Sequence, residues 1–193
     1  MNPIFQFPTY LLKRQAIALT GKFRFYDPAG QLVMFSEQKM FRLREDIRVF
    51  SDESKSQEVL SIKARQIIDF SAAYDVVDSA YNQKVGALRR RGLQSILRDE
   101  WEVLDASDNV IGKLFEDSMG LALLRRFLAG SLLPQNYDMT VGETRVADLR
   151  QNFNLFRYEL NLDFSMDSAQ RLDRRLGIAA GILLATVEGK QSS

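Results

Sequence analysis

The chain lacks two residue types on which much enzyme chemistry depends. Its 193 residues include no cysteine and no histidine. The first absence excludes disulfides, thiolate metal sites and cysteine nucleophiles. The second removes the usual general base and the commonest metal ligand. We therefore expect a protein that is not an enzyme and has no cofactor. An enzyme that uses carboxylates and a bound ligand is the remaining catalytic alternative, and no constellation of residues supports it.

The clearest concentration of charge is the run Arg89-Arg90-Arg91. The formal net charge is only +1, so attraction to an anion must come from a local patch. On a strand, alternation places Arg89 and Arg91 on one face and Arg90 on the other. One interpretation is a solvated strand end with ion pairs. The other is a site for an anionic phospholipid headgroup, formed with Arg125 and Arg126, because guanidinium groups suit phosphate.

Four oxygen-bearing side chains have the spacing of part of a calcium loop. Asp105, Ser107, Asn109 and Glu116 would occupy positions 1, 3, 5 and 12 of an EF-hand-like loop. However, Val110 stands where that loop requires glycine, and the segment has a hairpin pattern rather than helix–loop–helix. The four residues are therefore weak calcium candidates, and we expect no metal there.

Short strand patterns separated by turn residues dominate the chain from Ala16 to Phe164. Several units repeat one plan: an aromatic or β-branched strand, an Asp that opens a turn, and a return strand. They begin at Phe23, Tyr74 and Trp101, with Asp27, Asp78 and Asp105 at their turns, and a looser fourth begins at Tyr137. Such an Asp can accept hydrogen bonds from turn amides. Residues 39–50 and 58–70 predict further strands, and many short strands favour a barrel or sandwich.

Two segments predict helices. Residues 119–128 follow good capping side chains and form the first, with Arg125 and Arg126 in its last turns. Asp167 or Ser168 would cap the second, which continues through residues 176–187 without a polar face. Those residues span about 18 Å, too short for a hydrocarbon core of about 30 Å. We therefore expect strands to enclose this helix, with no transmembrane span.

The order of these parts resembles the Tubby-C-terminal-like superfamily. Within it, the resemblance is to the LURP-one-related proteins, which are related to phospholipid scramblases. The units Tyr74 to Gly86 and Trp101 to Gly112 carry it, together with Leu172 to Glu188. It implies a mainly β (α+β) fold: a single closed β-barrel of about 12 strands around a central hydrophobic C-terminal helix. We expect one domain over residues 1–193, with a core at about 10–188.

The resemblance links the chain to lipid without defining one activity. Tubby-like proteins bind phosphoinositides, and scramblases are associated with lipid movement and calcium. Tubby's lipid-binding positions do not map onto this chain. We expect a non-catalytic binding or scaffold protein whose partner is anionic phospholipid or an unknown protein, but not nucleic acid. The alternative is a scramblase-like protein whose C-terminal helix inserts in the membrane. The N-terminus does not have the pattern of a secretory signal, so we expect a cytoplasmic protein, peripheral at the membrane if it binds lipid. We also expect a monomer.

Overall fold

Twelve strands and one long helix make up the described part of the chain. The computed structural model describes residues 2–15, 20–39, 46–65, 72–91, 100–117, 135–152 and 157–188. The strands are β1 (Thr9–Gln15), β2 (Thr20–Tyr26), β3 (Leu32–Lys39), β4 (Ile47–Phe50), β5 (Glu58–Ala64), β6 (Ala73–Asp78), β7 (Gln83–Arg90), β8 (Glu100–Asp105), β9 (Val110–Glu116), β10 (Asn136–Val141), β11 (Thr144–Asn152) and β12 (Arg157–Asp163). The helix α1 spans Arg174–Glu188, and a 3₁₀ turn spans Pro3–Phe5.

The strands form a closed antiparallel barrel. Each strand pairs with its neighbours in sequence, and β1 also pairs with β12, with Thr9 opposite Asp163. Within the twelve described strands, closure leaves no edge available for pairing with another chain. The predicted fold class, a mainly β closed barrel of 12 strands with a C-terminal helix, is confirmed. The four predicted hairpin units are β2–β3, β6–β7, β8–β9 and β10–β11.

The strand directions divide the connections between two ends of the barrel. The turn end has the connections 27–31, 51–57, 79–82, 106–109 and 142–143, and the segment 164–173 that leads to the helix. At the far end, strands end and resume on either side of residues 16–19, 40–46, 65–72, 91–99, 117–135 and 153–156, and we call these stretches the far-end connections by their place in the sequence. The helix predicted at residues 119–128 lies outside the described residues. Of the strands predicted at 39–50 and 58–70, the described parts form the end of β3, β4 and β5.

Aspartates close the tight turns, as the sequence predicted. The Oδ1 atom of Asp27 accepts a hydrogen bond from the amide of Gln31 at 2.8 Å. The Oδ1 atom of Asp78 accepts one from the amide of Ala80 at 3.0 Å. Because each bond joins a side chain to a nearby amide, the turn chemistry is local and could be predicted from the sequence.

The helix begins later than predicted, and the predicted cap at Asp167 or Ser168 is wrong. The carboxylate of Asp167 accepts hydrogen bonds from the amides of Arg171 and Leu172, both at 2.9 Å, and so closes a turn. Gln170 has a φ of +50°, a left-handed conformation that a right-handed helix cannot contain. The chain therefore makes turns before the helix starts at Arg174.

Asp173 caps the helix, and an ion pair joins its first turn to the barrel. The Oδ1 atom of Asp173 accepts a hydrogen bond from the amide of Arg175 at 3.1 Å. The guanidinium of Arg175 donates to Asp173 and also to Asp78, which is buried at the end of β6. The helix start is thus connected to a turn that is remote in sequence.

The helix is buried on every side, as expected from its lack of a polar face. Its side chains from Leu176 to Ala185 are at most 1% exposed. Gly177 and Gly181 let the barrel wall approach closely: a Cβ atom at Gly177 would lie 2.4 Å from the ring of Phe164, and one at Gly181 would lie 3.0 Å from Leu162. The predicted enclosure of the helix by strands is confirmed. Among the described residues, no helix combines the length and apolarity needed to cross a bilayer.

Candidate anion-binding site

The predicted arginine run lies where β7 reaches the far end. Arg89 is paired in register with Glu102 of β8, and their side chains meet at 2.6 Å. Arg91 contacts Glu100 at 3.0 Å and Glu102 at 3.4 Å. Lys113 of β9 lies 3.7 Å from Glu100. These five residues form one group on the outer wall, which we call the outer cluster.

In the outer cluster the cations lie further out than the carboxylates. The side chain of Arg89 is 40% exposed, whereas that of its partner Glu102 is 16% exposed. Three cations face two carboxylates, so the cluster has a net charge of +1. Exposed ion pairs typically contribute under about 1 kcal/mol. An anion could therefore reach Arg89 and Arg91 at modest cost, although it would compete with Glu102.

Arg90 points to the inside of the barrel, away from Arg89 and Arg91. Its guanidinium lies 6.0 Å from the ring centre of Trp101, which is buried. The Trp101 ring is 6.0 Å from that of Tyr74, where burial raises the pKa of the hydroxyl. The structure thus brings Arg89 and Arg91 together and places Arg90 in a separate aromatic environment, as strand alternation predicted.

Arg125 and Arg126 lie outside the described residues. Their connection, residues 117–135, leaves β9 at Glu116 and enters β10 at Asn136, both at the far end. The strand order β7-β8-β9-β10 puts these points two and three strands from Arg89. That these arginines join the outer cluster in one site remains a prediction.

The four weak calcium candidates do not come together. The Asp105 carboxylate accepts hydrogen bonds from the Asn109 side chain at 3.0 Å and from the amides of Ser107 and Asn109. These hydrogen bonds lower the pKa of Asp105, and the one from the Asn109 side chain has the largest effect. Glu116 is buried at the opposite end of β9, six residues or about 20 Å from the turn. Among the described residues, no group of three potential metal-binding side chains is suitably placed for an ion.

Sequence reasoning missed a group of polar residues on the inner wall at the far end. Arg14, Ser36 and Gln38 are all buried, and Arg14 lies 5.3 Å from the ring centre of the buried Tyr158. The Ser36 hydroxyl and the Gln38 side-chain nitrogen have no hydrogen-bond partner among the described residues. The sequence contained a usable signal for Arg14. It follows Tyr10 and Leu12 at intervals of two residues, so strand alternation places all three side chains on the inner face of β1.

The two ends of the barrel differ in charge. By residue type, the turn-end connections contain seven carboxylates and two cations. The carboxylates are Asp27, Asp52, Glu53, Asp108, Glu143, Asp167 and Asp173, and the cations are Lys55 and Arg171. Three of the carboxylates, Glu53, Asp108 and Asp173, also form ion pairs with cations of other segments. By sequence, the far-end connections have seven cations and five carboxylates. One of these cations, Arg65, extends its guanidinium to Asp108 of the turn end. Because the whole chain has a net charge of +1, the positive charge is concentrated away from the turn end.

A closed antiparallel barrel filled by its own C-terminal helix defines the structural class. A family model described as LURP-one-related matches residues 34–185, from β3 into α1. The match covers more than three quarters of the chain, so the chain belongs to the LURP-one-related family. No curated protein matches the chain, and no solved structure does so.

Proposed function

We propose that this chain is a non-catalytic binding protein of the Tubby-like superfamily, related to scramblases, and that its far end attaches to anionic phospholipid headgroups. The charge difference between the two ends of the barrel carries this proposal. A surface with an excess of carboxylates is repelled by an anionic membrane, so the turn end would face away from it. The far end presents the outer cluster, with its arginines further out than its carboxylates.

The expected attachment is weak and sensitive to salt. Each basic residue near an anionic membrane contributes about 1 kcal/mol. The outer cluster has a net charge of +1, and Arg125 and Arg126 would raise this to +3 if they join it. About 3 kcal/mol of attraction would be screened strongly at physiological salt, where the Debye length is about 8 Å. We therefore propose a peripheral protein that is attracted to membranes of high negative charge.

The amino-acid composition of the connections also supports an orientation in which the far end faces the membrane. More than half of the residues in the far-end connections are apolar by type, against a quarter in the turn-end connections. Apolar residues beside basic residues are the combination found in chains that bind membrane interfaces. The turn end has an excess of carboxylates, and its exposed large apolar side chains are those of Tyr81, Val110 and Met166.

The scramblase-like alternative would require the helix to leave the barrel. That movement would expose Leu176 to Ala185, which are at most 1% exposed, and would separate Arg175 from the buried Asp78. Losing one partner of such a buried pair typically costs about 3–5 kcal/mol. We therefore favour attachment with the helix in place.

Co-sedimentation with vesicles rich in phosphatidylserine, at low and at physiological salt, tests the proposal. Arg89→Glu/Arg91→Glu should abolish binding by reversing the charge of the outer cluster. Glu102→Gln should strengthen binding, because it removes the carboxylate that competes for both arginines. Glu53→Gln is the matched control: it makes the same change at the turn end, where Glu53 pairs with Arg24 at 2.7 Å. Equal strengthening by both Gln variants, or no binding by the parent at low salt, would refute the proposed site.

A further inference from the structure

Residues 2–8, which we call the N-terminal segment, add apolar side chains to the core at the turn end. Phe5 lies in the 3₁₀ turn, is 1% exposed and belongs to the same buried core as Leu176 of α1. Ile4 and Phe7 are partly buried and pack against that core. The N-terminal segment has no charged residue. It therefore meets the start of the central helix through apolar side chains and through its own backbone.

Arg174, the first residue of α1, binds the backbone of the N-terminal segment. Its Nη1 atom donates hydrogen bonds to the carbonyl oxygens of Gln6 and Phe7, the second at 2.9 Å. The guanidinium lies 6.0 Å from the ring centre of Phe164. Hydrogen bonds from a charged donor are stronger than those between neutral groups. This contact joins the helix to residues that precede it by more than 160 positions.

Tyr10 of β1 holds the same segment from the barrel wall. Its hydroxyl donates a hydrogen bond to the carbonyl oxygen of Ile4 at 2.8 Å and accepts one from the amide of Phe7 at 3.2 Å. The Tyr10 ring lies edge-on to the rings of Phe7 and Phe164, at 5.9 and 6.1 Å between ring centres. The N-terminal segment is thus fixed on one side by the wall and on the other by the helix.

Two arginines connect the start of α1 to the rest of the fold through polar contacts. Arg175 binds Asp78 at the end of β6, a strand that is paired on both sides. Arg174 binds residues 6 and 7, which precede the first strand pairing at Thr9. Segments outside a sheet open locally at a lower free energy than paired strands. A local opening of the chain can therefore break the Arg174 contact while the barrel stays closed.

We infer that the N-terminal segment is a clasp on the central helix, and that its local displacement is the step that loosens α1 within the barrel. Displacement would separate the Arg174 guanidinium from its two carbonyl partners. It would also expose Ile4, Phe5 and Phe7 together with the start of the helix. While the clasp is closed, it withholds the helix from any partner outside the barrel. The inference does not depend on attachment of the far end to a membrane.

Hydrogen exchange of the full chain, followed by mass spectrometry, tests the clasp. Arg174→Met removes the donors but keeps an unbranched apolar side chain beside Phe164. It should speed the exchange of amides 176–185 by about tenfold, the effect of losing a hydrogen bond from a charged group. The amides of β8 and β9 should exchange as in the parent. Arg171→Met is the matched control, because it makes the same substitution at an exposed arginine of the preceding connection, and it should exchange like the parent.

Tyr10→Phe tests the clasp from the barrel side. It removes the hydroxyl that binds the N-terminal segment and keeps the edge-on rings, so it should speed exchange of the same helix amides several-fold. Equal acceleration in the helix and in β8 and β9 would overturn the inference, because the segment would then be only a part of the core. Unchanged helix exchange in Arg174→Met and Tyr10→Phe would also overturn it. If Arg174→Met does not fold, Tyr10→Phe decides the question by the same two criteria.

Discussion

Two glycines of the central helix should respond in opposite ways to the same substitution. Gly177→Ala would put a Cβ atom 2.4 Å from Cε1 and 2.6 Å from Cζ of Phe164. Phe164 is 1% exposed and packs edge-on against Tyr10, with ring centres 6.1 Å apart. The ring is rigid and has little room to move, so overpacking should cost about 1–3 kcal/mol. Alanine regains about 1 kcal/mol of helix propensity, which leaves a net loss of about 1 kcal/mol.

The side chains nearest to Gly181 are more flexible than the Phe164 ring beside Gly177. Its Cβ atom would lie 3.0 Å from Cδ2 of Leu162 and 3.6 Å from Cδ2 of Leu12. Both atoms are the ends of flexible side chains, which can move by a few tenths of an ångström. Most of the gain in helix propensity, about 0.5–1 kcal/mol, should therefore remain. The two variants should differ in stability by roughly 1.5–2 kcal/mol.

Urea denaturation of the parent and both variants measures this difference. With a slope of about 2–3 kcal/mol per molar urea, the two midpoints should be separated by roughly 0.5–1 M. Gly177→Ala should unfold below the parent and Gly181→Ala at or above it. Equal midpoints for the variants would refute the reasoning, because they would mean that Phe164 does not press on the helix at Gly177.

Further predictions concern the core, the alkaline range and calcium. Ile182→Asp puts a carboxylate where the side chain is 0% exposed and should abolish the cooperative thermal transition; a melt like the parent's would contradict the enclosed helix. Burial raises the pKa of Tyr10 from 10.0 to about 12, so its contribution to stability is complete below pH 10 and is lost as pH rises to 12. In Tyr10→Phe the thermal midpoint should therefore fall less between pH 10 and pH 12 than in the parent. An equal fall in the two proteins would contradict this role for Tyr10. Calcium should leave the thermal midpoint unchanged, because Asp105 and Glu116 are about 20 Å apart; a rise that Asp105→Ala removes would show otherwise.

The features that could be predicted from the sequence depend on local chemistry or length. The turns at Asp27, Asp78 and Asp105 form because a carboxylate reaches amides within four residues. The burial of α1 followed from an apolar run that is too short for a membrane. Closure into 12 strands was implied by the family resemblance, since pairing of β1 with β12 joins residues far apart in the chain.

The features that were missed depend on long-range register. Asp167 satisfies the local rules for a helix cap, and the later start depends on the turn that it closes and on contact between Arg175 and Asp78. The polar residues of the inner wall were missed because only the pairing of β1, β2 and β3 shows that Arg14 and Ser36 lie in one row. The outer cluster was found only in part, because Glu100 and Glu102 belong to another strand.

The central claim is that the far end, and not the turn end, faces an anionic membrane. Because the chain has no cysteine, a single introduced cysteine can carry an environment-sensitive fluorophore. Ser107→Cys places it in an exposed turn between β8 and β9, and Asp117→Cys places it at the exposed far end of β9. With phosphatidylserine vesicles at low salt, the label at residue 117 should shift to the blue and the label at 107 should not. A shift at residue 107, or at neither position while the protein sediments with the vesicles, would contradict the account.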